Sequence, residues 1–428
     1  MRKLLVKNGR VIDPSQKIDD TLDVLVVDGK VAEIRRNIAI GDAEIVDASS
    51  LIVAPGFIDM HVHLREPGRE DEETIESGTL AAAAGGFTSV CCMPNTDPVN
   101  DDPSVTEYIR AQAAKCGHAH VFPIGAVSKG LKGEKISEFG LMKEAGIVAV
   151  SDDGEPVLKS QLMRRALEYS RMFGMTVIDH CEDKTLAPGW VMHEGLVSTK
   201  LGLRGIPAAG EIIPIERDIQ ILKLTGGRLH IAHLSTEGGL DKVRGAKAEG
   251  LPVTAEVTPH HFTLSEHDCE NFDTRMKMNP PLRTKRDVDG ILRGIKDGTV
   301  DVIATDHAPH HEDEKRQEFD KAPFGVIGLE TAVSLAIDRL VKKKIIDFNR
   351  MIELFAVNPA RILGLPKGTL RPGFDADITL LHPNKKVTVD VGQFRSKSRN
   401  SPFHGLKLTG CPVATIVAGV IRYMEDKL

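Results

Sequence analysis

No apolar run in the sequence approaches the roughly 20 residues that a helical membrane span requires. The opening stretch Met1-Arg2-Lys3-Leu4-Leu5-Val6-Lys7 is too short in its apolar part to serve as a secretory signal. Charge of one sign is not in excess either: the formal net charge is −6 over 428 residues, too mild to point to nucleic acid or an anionic membrane as a partner. The six cysteines (Cys91, Cys92, Cys116, Cys181, Cys269 and Cys411) contain no CxxC pair, and Cys91 and Cys92 lie inside an apolar run, where free buried thiols are expected. That usage fits a reducing compartment, the cytoplasm. The remaining composition is ordinary for a globular chain, 41% hydrophobic and 27% charged, and the length suffices for one large domain or several smaller ones.

The two ends read differently from the middle. "LLVKNGRVID" and "VLVVDGKVAEI" place Asn-Gly and Asp-Gly between β-rich runs, the local pattern of a hairpin. "DADITLLHP", "KVTVDV" and "PVATIVAGVIRYM" return to that style near the C-terminus, so one small β-domain assembled from residues 1–52 and 366–428 is expected. Between them, residues 53–365 alternate β-branched apolar runs with helical stretches. The runs are Phe57–His61, Thr88–Met93, His120–Val127, Ile147–Ser151, Thr176–His180, Arg228–His233, Pro252–Val257 and Val300–Thr305. The intervening "DEETIESGTLAAAAGG", "LKSQLMRRALEYSRMFG", "EIIPIERDIQILKLTGG" and "TEGGLDKVRGAKAEG" end in glycine, a common helix stop. Eight strand–helix units predict an α/β fold, a (β/α)8 TIM-like barrel beside the small β-domain.

In such a barrel the chemistry sits where the strands end. Strand 1 ends in His61-Val62-His63-Leu64-Arg65, strand 2 in Met93-Pro94-Asn95-Thr96 and strand 4 in Ser151-Asp152-Asp153-Gly154. Strand 5 ends in His180-Cys181-Glu182, strand 6 in His233-Leu234-Ser235, strand 7 in Thr258-Pro259-His260-His261 and strand 8 in Asp306-His307-Ala308-Pro309-His310. Alternation along a strand puts Phe57, Asp59, His61 and His63 on one face, Thr176, Ile178 and His180 on another, and Leu229, Ile231 and His233 on a third. Four imidazoles then converge with Asp153 and Asp306. Such a nitrogen and oxygen donor set suits Zn²⁺ first, then Mn²⁺, Fe²⁺ or Co²⁺. A lone strand-end histidine is usually an ordinary hydrogen-bonded one, but the clustering reverses that expectation. His118, His120, His193, His230, His267, His382 and His404 keep the ordinary reading. His307 and His311 are read as loop residues, and Ser128, Cys181, His260 and His261 lie near the mouth without a role of their own. Arg65 offers a planar fork suited to a carboxylate, with a surface ion pair to Glu66 or Glu70 as the alternative. The charged stretch His310 to Gly325 reads equally as a lid or as a solvated loop.

At these residues the chain resembles the metal-dependent amidohydrolase superfamily. The "HVH" after strand 1, the single histidines after strands 5 and 6 and the aspartate after strand 8 follow that family's order. Within it, "DMHVHLREPG", "MPNT", "SDDG", "KMNPPLR", "ATDHAPH" and "PFGVIG" are similar to the class I (bacterial long-chain) dihydroorotases, over essentially the whole chain. The resemblance implies a β-sandwich built from both termini and zinc-dependent cyclic amide chemistry on dihydroorotate and N-carbamoyl-L-aspartate. It implies that His61, His63, His180 and His233 bind one or two Zn²⁺, that Asp153 stands as a ligand where many relatives use a carboxylated lysine, and that Asp306 is both ligand and proton-transferring base. It further implies that Asn95 and His310 join Arg65 on the substrate carboxylate, and that Asn279 and the backbone at Phe324 and Gly325 bind the ring amides. For Asn279 a turn role before two prolines is the alternative. A homodimer, and in some relatives a complex with aspartate transcarbamoylase, also follow from the resemblance. Rival readings are a hydantoinase-like or allantoinase-like hydrolase, which the absent lysine disfavours, and a silent scaffold, which the complete donor set disfavours.

Overall fold

The computed structural model describes residues 2–425. The eight apolar runs of the middle segment are parallel strands: β1 Phe57–Val62, β2 Phe87–Cys92, β3 His120–Pro123, β4 Ala149–Ser151, β5 Thr176–Asp179, β6 Leu229–Ile231, β7 Val253–Val257 and β8 Val302–Ile303. β1, β2 and β3 pair in sequence, and so do β4 to β8. Single parallel bridges, Gly125 with Val150 and Val62 with His307, join the two arcs into a closed barrel. The four expected helices are present as Ile75–Ala84, Ser160–Arg171, Ala209–Thr225 and Glu237–Ala248. The first starts at a capping box in which Thr74 and Ser77 satisfy each other's backbone amides.

Strand alternation divides the apolar residues between two layers. Leu229, Ile231, Val257 and Ile303 pack with the helix residues Leu167, Leu222, Leu240 and Val243. Met60, Cys91, Ile178, Ala232, Val302 and Ala304 cluster instead with Ile362 and Leu363. Each Val, Leu, Ile or Met among them taken fully out of water contributes about 1.5–3 kcal/mol, so the mouth of the barrel rests on a large packed base.

Both termini build a second sheet. Its strand order is Val420–Met424, Lys407–Val417, Ile378–Thr388, Ile52–Pro55, Lys3–Asp13, Ile18–Val27 and Lys30–Arg35, with Glu44–Asp47 added in parallel to Lys3–Asp13. The Asp28-Gly29 hairpin forms as expected, with Val27 opposite Lys30. The Asn8-Gly9 hairpin does not. Lys3–Asp13 runs on as one strand, and its register against Ile18–Val27 shifts between Val6 and Gly9. Asn8 takes φ 64° there, and its amide donates to Asp23 Oδ1 at 2.9 Å. The left-handed residue that would start a hairpin starts a bulge instead.

Ile52–Pro55 passes through Gly56 directly into β1, so the sheet and the barrel share a continuous backbone. Thr379 and Thr415 donate to the carbonyls of Gly86 and Ala83, each at 2.7 Å, at the junction. No helix among the described residues is long and apolar enough to cross a membrane.

Candidate active site and metal-ligating cluster

The mouth of the barrel gathers His61, His63, Asp153, His180, His233 and Asp306, all buried. His63 Nε2 lies 3.1 Å from Asp306 Oδ1 and 3.5 Å from Asp153 Oδ2. His61 Nε2 is 3.3 Å from Asp153 Oδ1 and 3.5 Å from Asp306 Oδ1. His233 Nε2 is 3.5 Å from the same Asp153 oxygen and 2.8 Å from His180 Nδ1. Two groups, His61 with His63 and Asp306, and His61 with Asp153 and His233, each bring three donor atoms within 4.8 Å of one another.

Burial opposes charge throughout this cluster, and mutual pairing overrides it. Burial raises the Asp153 and Asp306 carboxyls, but His61 and its neighbours outweigh that and hold both below the ordinary range. His61 is shifted upward against its own burial by Asp153 and Glu256. Despite their proximity, His61 Nε2 and Asp153 Oδ1 are not aligned on any hydrogen-bond partner. Two buried polar atoms left so are costly, and a cation between them removes the cost. The donor set therefore fits a divalent metal.

A cleft of about 510 Å³ opens over this cluster. His63, Asp153, His180, His233 and Asp306 line it, and so do Arg65, Asn95, Asn279, His310, Phe324 and Gly325; His61, fully buried, does not. Arg65 is partly buried and pairs with Glu72 at 2.9 Å, not with Glu66 or Glu70. Its Nη2 stands 3.4 Å from His310 Nε2. Asn95 Oδ1 faces His63 Nδ1 at 2.9 Å, and Asn279 Nδ2 donates to Glu182 at 3.0 Å. The ring nitrogens of His310 face Glu72 at 3.0 Å and the Phe324 carbonyl at 2.7 Å. Gly325 has φ 131°, and a Cβ there would stand 2.8 Å from Ala308 and 3.0 Å from His310, so glycine alone fits.

Strict alternation does not explain three of the ligand candidates, His61, His233 and Asp306. The β1 register slips against β2 between Phe57 and Ile58 and again between Asp59 and Val62. Phe57 packs on Phe87 and Phe355, so it does not share a face with His61. Leu229 and Ile231 belong to the helix-facing layer, and His233 turns inward because its backbone takes φ 30°. Asp306, at φ 48°, is another such turn. Left-handed backbone at non-glycine residues costs of order 1–3 kcal/mol each and concentrates at functional sites.

Several site residues escape a reading of the sequence. Glu256 Oε1 holds His61 Nδ1 at 2.6 Å, and its other oxygen meets His230 Nε2 at 3.2 Å. His230 is thus a support of the cluster. Glu182 receives His180 Nε2 at 2.9 Å and Trp190 Nε1 at 2.7 Å; burial opposes its ionisation, but His180 brings its pKa down to about 2. His260 is buried with Nε2 unpartnered, and burial pushes its pKa down to about 4. His307 lies in the segment after β8, as expected, but it is buried against Glu73 at 3.3 Å and accepts from the Gly328 amide. Parity along "PVTAEVT" is the available signal for Glu256; nothing in sequence marks Glu182 beyond its place after His180.

A family model described as Dihydro-orotase-like matches residues 50–238. The chain is 54% identical over 426 residues to a dihydroorotase of Pelotomaculum thermopropionicum, covering 100% of this chain and 99% of that one. It is 53% identical over 421 residues to a dihydroorotase of Geobacter metallireducens, with 98% and 99% covered. Among solved structures, L-hydantoinase (dihydropyrimidinase) from Arthrobacter aurescens superposes with TM-score 0.89 at 26% identity, over 100% of this chain and 97% of that one. That likeness lies in the barrel and the accompanying β-sandwich, whereas the full-length identity above one half lies with the dihydroorotases. The chain belongs to the dihydroorotase family of amidohydrolases.

Proposed function

We propose that this chain is a dihydroorotase, a cyclic amidohydrolase that reversibly closes N-carbamoyl-L-aspartate to L-dihydroorotate with loss of water in pyrimidine (UMP) biosynthesis. The observation that carries this reading is the meeting, in one cleft, of the buried histidine–aspartate cluster and the Arg65 guanidinium. One part suits attack on an unreactive amide and the other suits an anchoring carboxylate.

His61, His63, Asp153, His180, His233 and Asp306 would hold one or two Zn²⁺, which when bound supply water of lowered pKa and a polarised carbonyl. In the hydrolytic direction water adds to the ring carbonyl carbon, the ring C–N bond breaks and the departing nitrogen needs a proton. Asp306 takes that proton from the water and delivers it to the nitrogen. In the biosynthetic direction the same carboxylate removes it from the carbamoyl nitrogen. Arg65, Asn95 and His310 would clamp the carboxylate that does not react. Asn279 and the backbone at Phe324 and Gly325 would orient the ring amides; Gly325 already spends its N–H on the Lys277 carbonyl, which favours the Phe324 N–H as the donor. The same reading carries a cytoplasmic enzyme that forms homodimers and associates with aspartate transcarbamoylase.

Steady-state turnover of dihydroorotate, hydantoin and allantoin tests the assignment. Dihydroorotate is expected to be preferred in kcat/KM by several orders of magnitude, and a preference for either of the other two would overturn it.

A further inference from the structure

The segment between the last long strands of the sheet, Ile378–Thr388 and Lys407–Val417, does not stay with the sheet. Its residues Ser396 to Asn400 run behind the substrate cleft and bond to the loops that form it. Asn400, 4% exposed, donates through Nδ2 to the carbonyls of Ala308 at 2.9 Å and Gly325 at 3.1 Å. Its Oδ1 accepts from the His310 amide at 3.4 Å, and its backbone carbonyl accepts from Ile327 at 3.2 Å. Ser398, 5% exposed, shares its hydroxyl hydrogen between Glu72 O at 2.8 Å and His310 O at 3.0 Å. Glu72 is the residue that pairs with Arg65 and His310.

Every polar group of the Asn400 amide is thus used, and each bond lands on a cleft loop and none on the sheet. A side chain serving only the sheet would bond within it. Here the C-terminal segment sets where the His310, Gly325 and Glu72 backbones stand, and through Glu72 where Arg65 stands.

We propose that Asn400 and Ser398 are positioning residues for the carboxylate-binding side of the cleft. They govern substrate affinity and leave the histidine–aspartate cluster untouched. This rests on the dihydroorotase reading above. The Ser398 hydroxyl and the Asn400 amide hold two loops in register, so the anchoring groups are in place before substrate arrives and no binding energy is spent on ordering them.

The test is kinetics on Asn400→Ala, Ser398→Ala and Ser398→Thr, with metal content and Tm measured on each purified protein. For Asn400→Ala and Ser398→Ala, KM for dihydroorotate is expected to rise about tenfold, the scale of a lost positioning bond. The kcat should stay within about threefold and metal per chain should equal that of the wild type, while Ser398→Thr, which keeps the hydroxyl, should restore KM. A fall in kcat at unchanged KM, a loss of metal, or unchanged kinetics in both alanine variants would overturn the proposal. Failure of even Ser398→Ala to fold would reassign the segment to stability alone. A wild-type protein without dihydroorotate turnover would instead strike at the function reading, so the two failures are separable.

Discussion

Glu256 lies next to last in β7 and serves two imidazoles at once, His61 on one oxygen and His230 on the other. Burial would raise its pKa, but the two rings outweigh burial and keep it ionised. A carboxylate in that place fixes the His61 tautomer and directs Nε2 toward the cleft. The substitution Glu256→Gln should weaken metal binding by about 10–100-fold, measurable by competition with a chelating dye; unchanged affinity would show that His61 needs no such support. Sequence alone does not single out this residue, because parity along "PVTAEVT" turns it inward without naming its partners, whereas "HVH" marks a ligand pair by itself. Arg65 is legible for the opposite reason, since an arginine immediately after two ligand-type histidines has few structural uses. Its partner is not legible: Glu72 comes close only because the loop after β1 folds back, which no local pattern encodes. Arg65→Lys keeps the charge and loses the fork, so KM for dihydroorotate should rise by at least about tenfold with metal content preserved; an unchanged KM would remove Arg65 from substrate recognition.

At the scale of elements, strands are readable where β-branched residues run together, and all eight barrel strands lie where those runs are. Direction is harder. His233 and Asp306 point into the cleft by left-handed turns at the strand ends, which alternation cannot foresee. Asn8-Gly9 reads as a hairpin and forms a bulge because both begin with the same φ > 0 residue. The choice between them rests on pairing with Ile18–Val27, a tertiary matter. Tertiary charge also ties the sheet to the barrel. Lys367 Nζ lies 2.7 Å from both Asp375 and Asp377 and 2.9 Å from the β3 residue His120, and Lys30 reaches Asp375 at 2.6 Å. Partial burial opposes ionisation of Asp375, yet Lys30 and Lys367 bring its pKa from 3.8 down to about 2. A carboxyl whose pKa is lower in the folded state adds stability above its unfolded pKa and loses it as pH falls through the folded one. The junction should therefore weaken between pH 3.8 and about 2. In urea unfolding, the midpoint of the wild type should fall more steeply over that window than that of Asp375→Asn; parallel slopes would exclude this pair as the cause.

For the whole molecule, two β-rich ends around an alternating middle are enough to anticipate a sheet made from both termini and a closed parallel barrel. The pattern does not reveal that the C-terminal segment crosses behind the cleft, because contacts such as Asn400 to Gly325 join residues 75 positions apart and follow no periodicity. The barrel acts as a rigid frame that brings separated histidines and aspartates to one point, and the cluster's uncompensated polar atoms are what call for a cation. Metal quantitation coupled to dihydroorotate turnover, on the wild type and on Asp153→Ala, addresses this most directly. The wild type should carry one or two zinc ions per chain, lose turnover on chelation and regain it with zinc, while Asp153→Ala should hold less metal and turn over at least about a hundredfold more slowly. Full turnover by metal-free wild type, or unchanged metal content and rate in Asp153→Ala, would contradict the assignment.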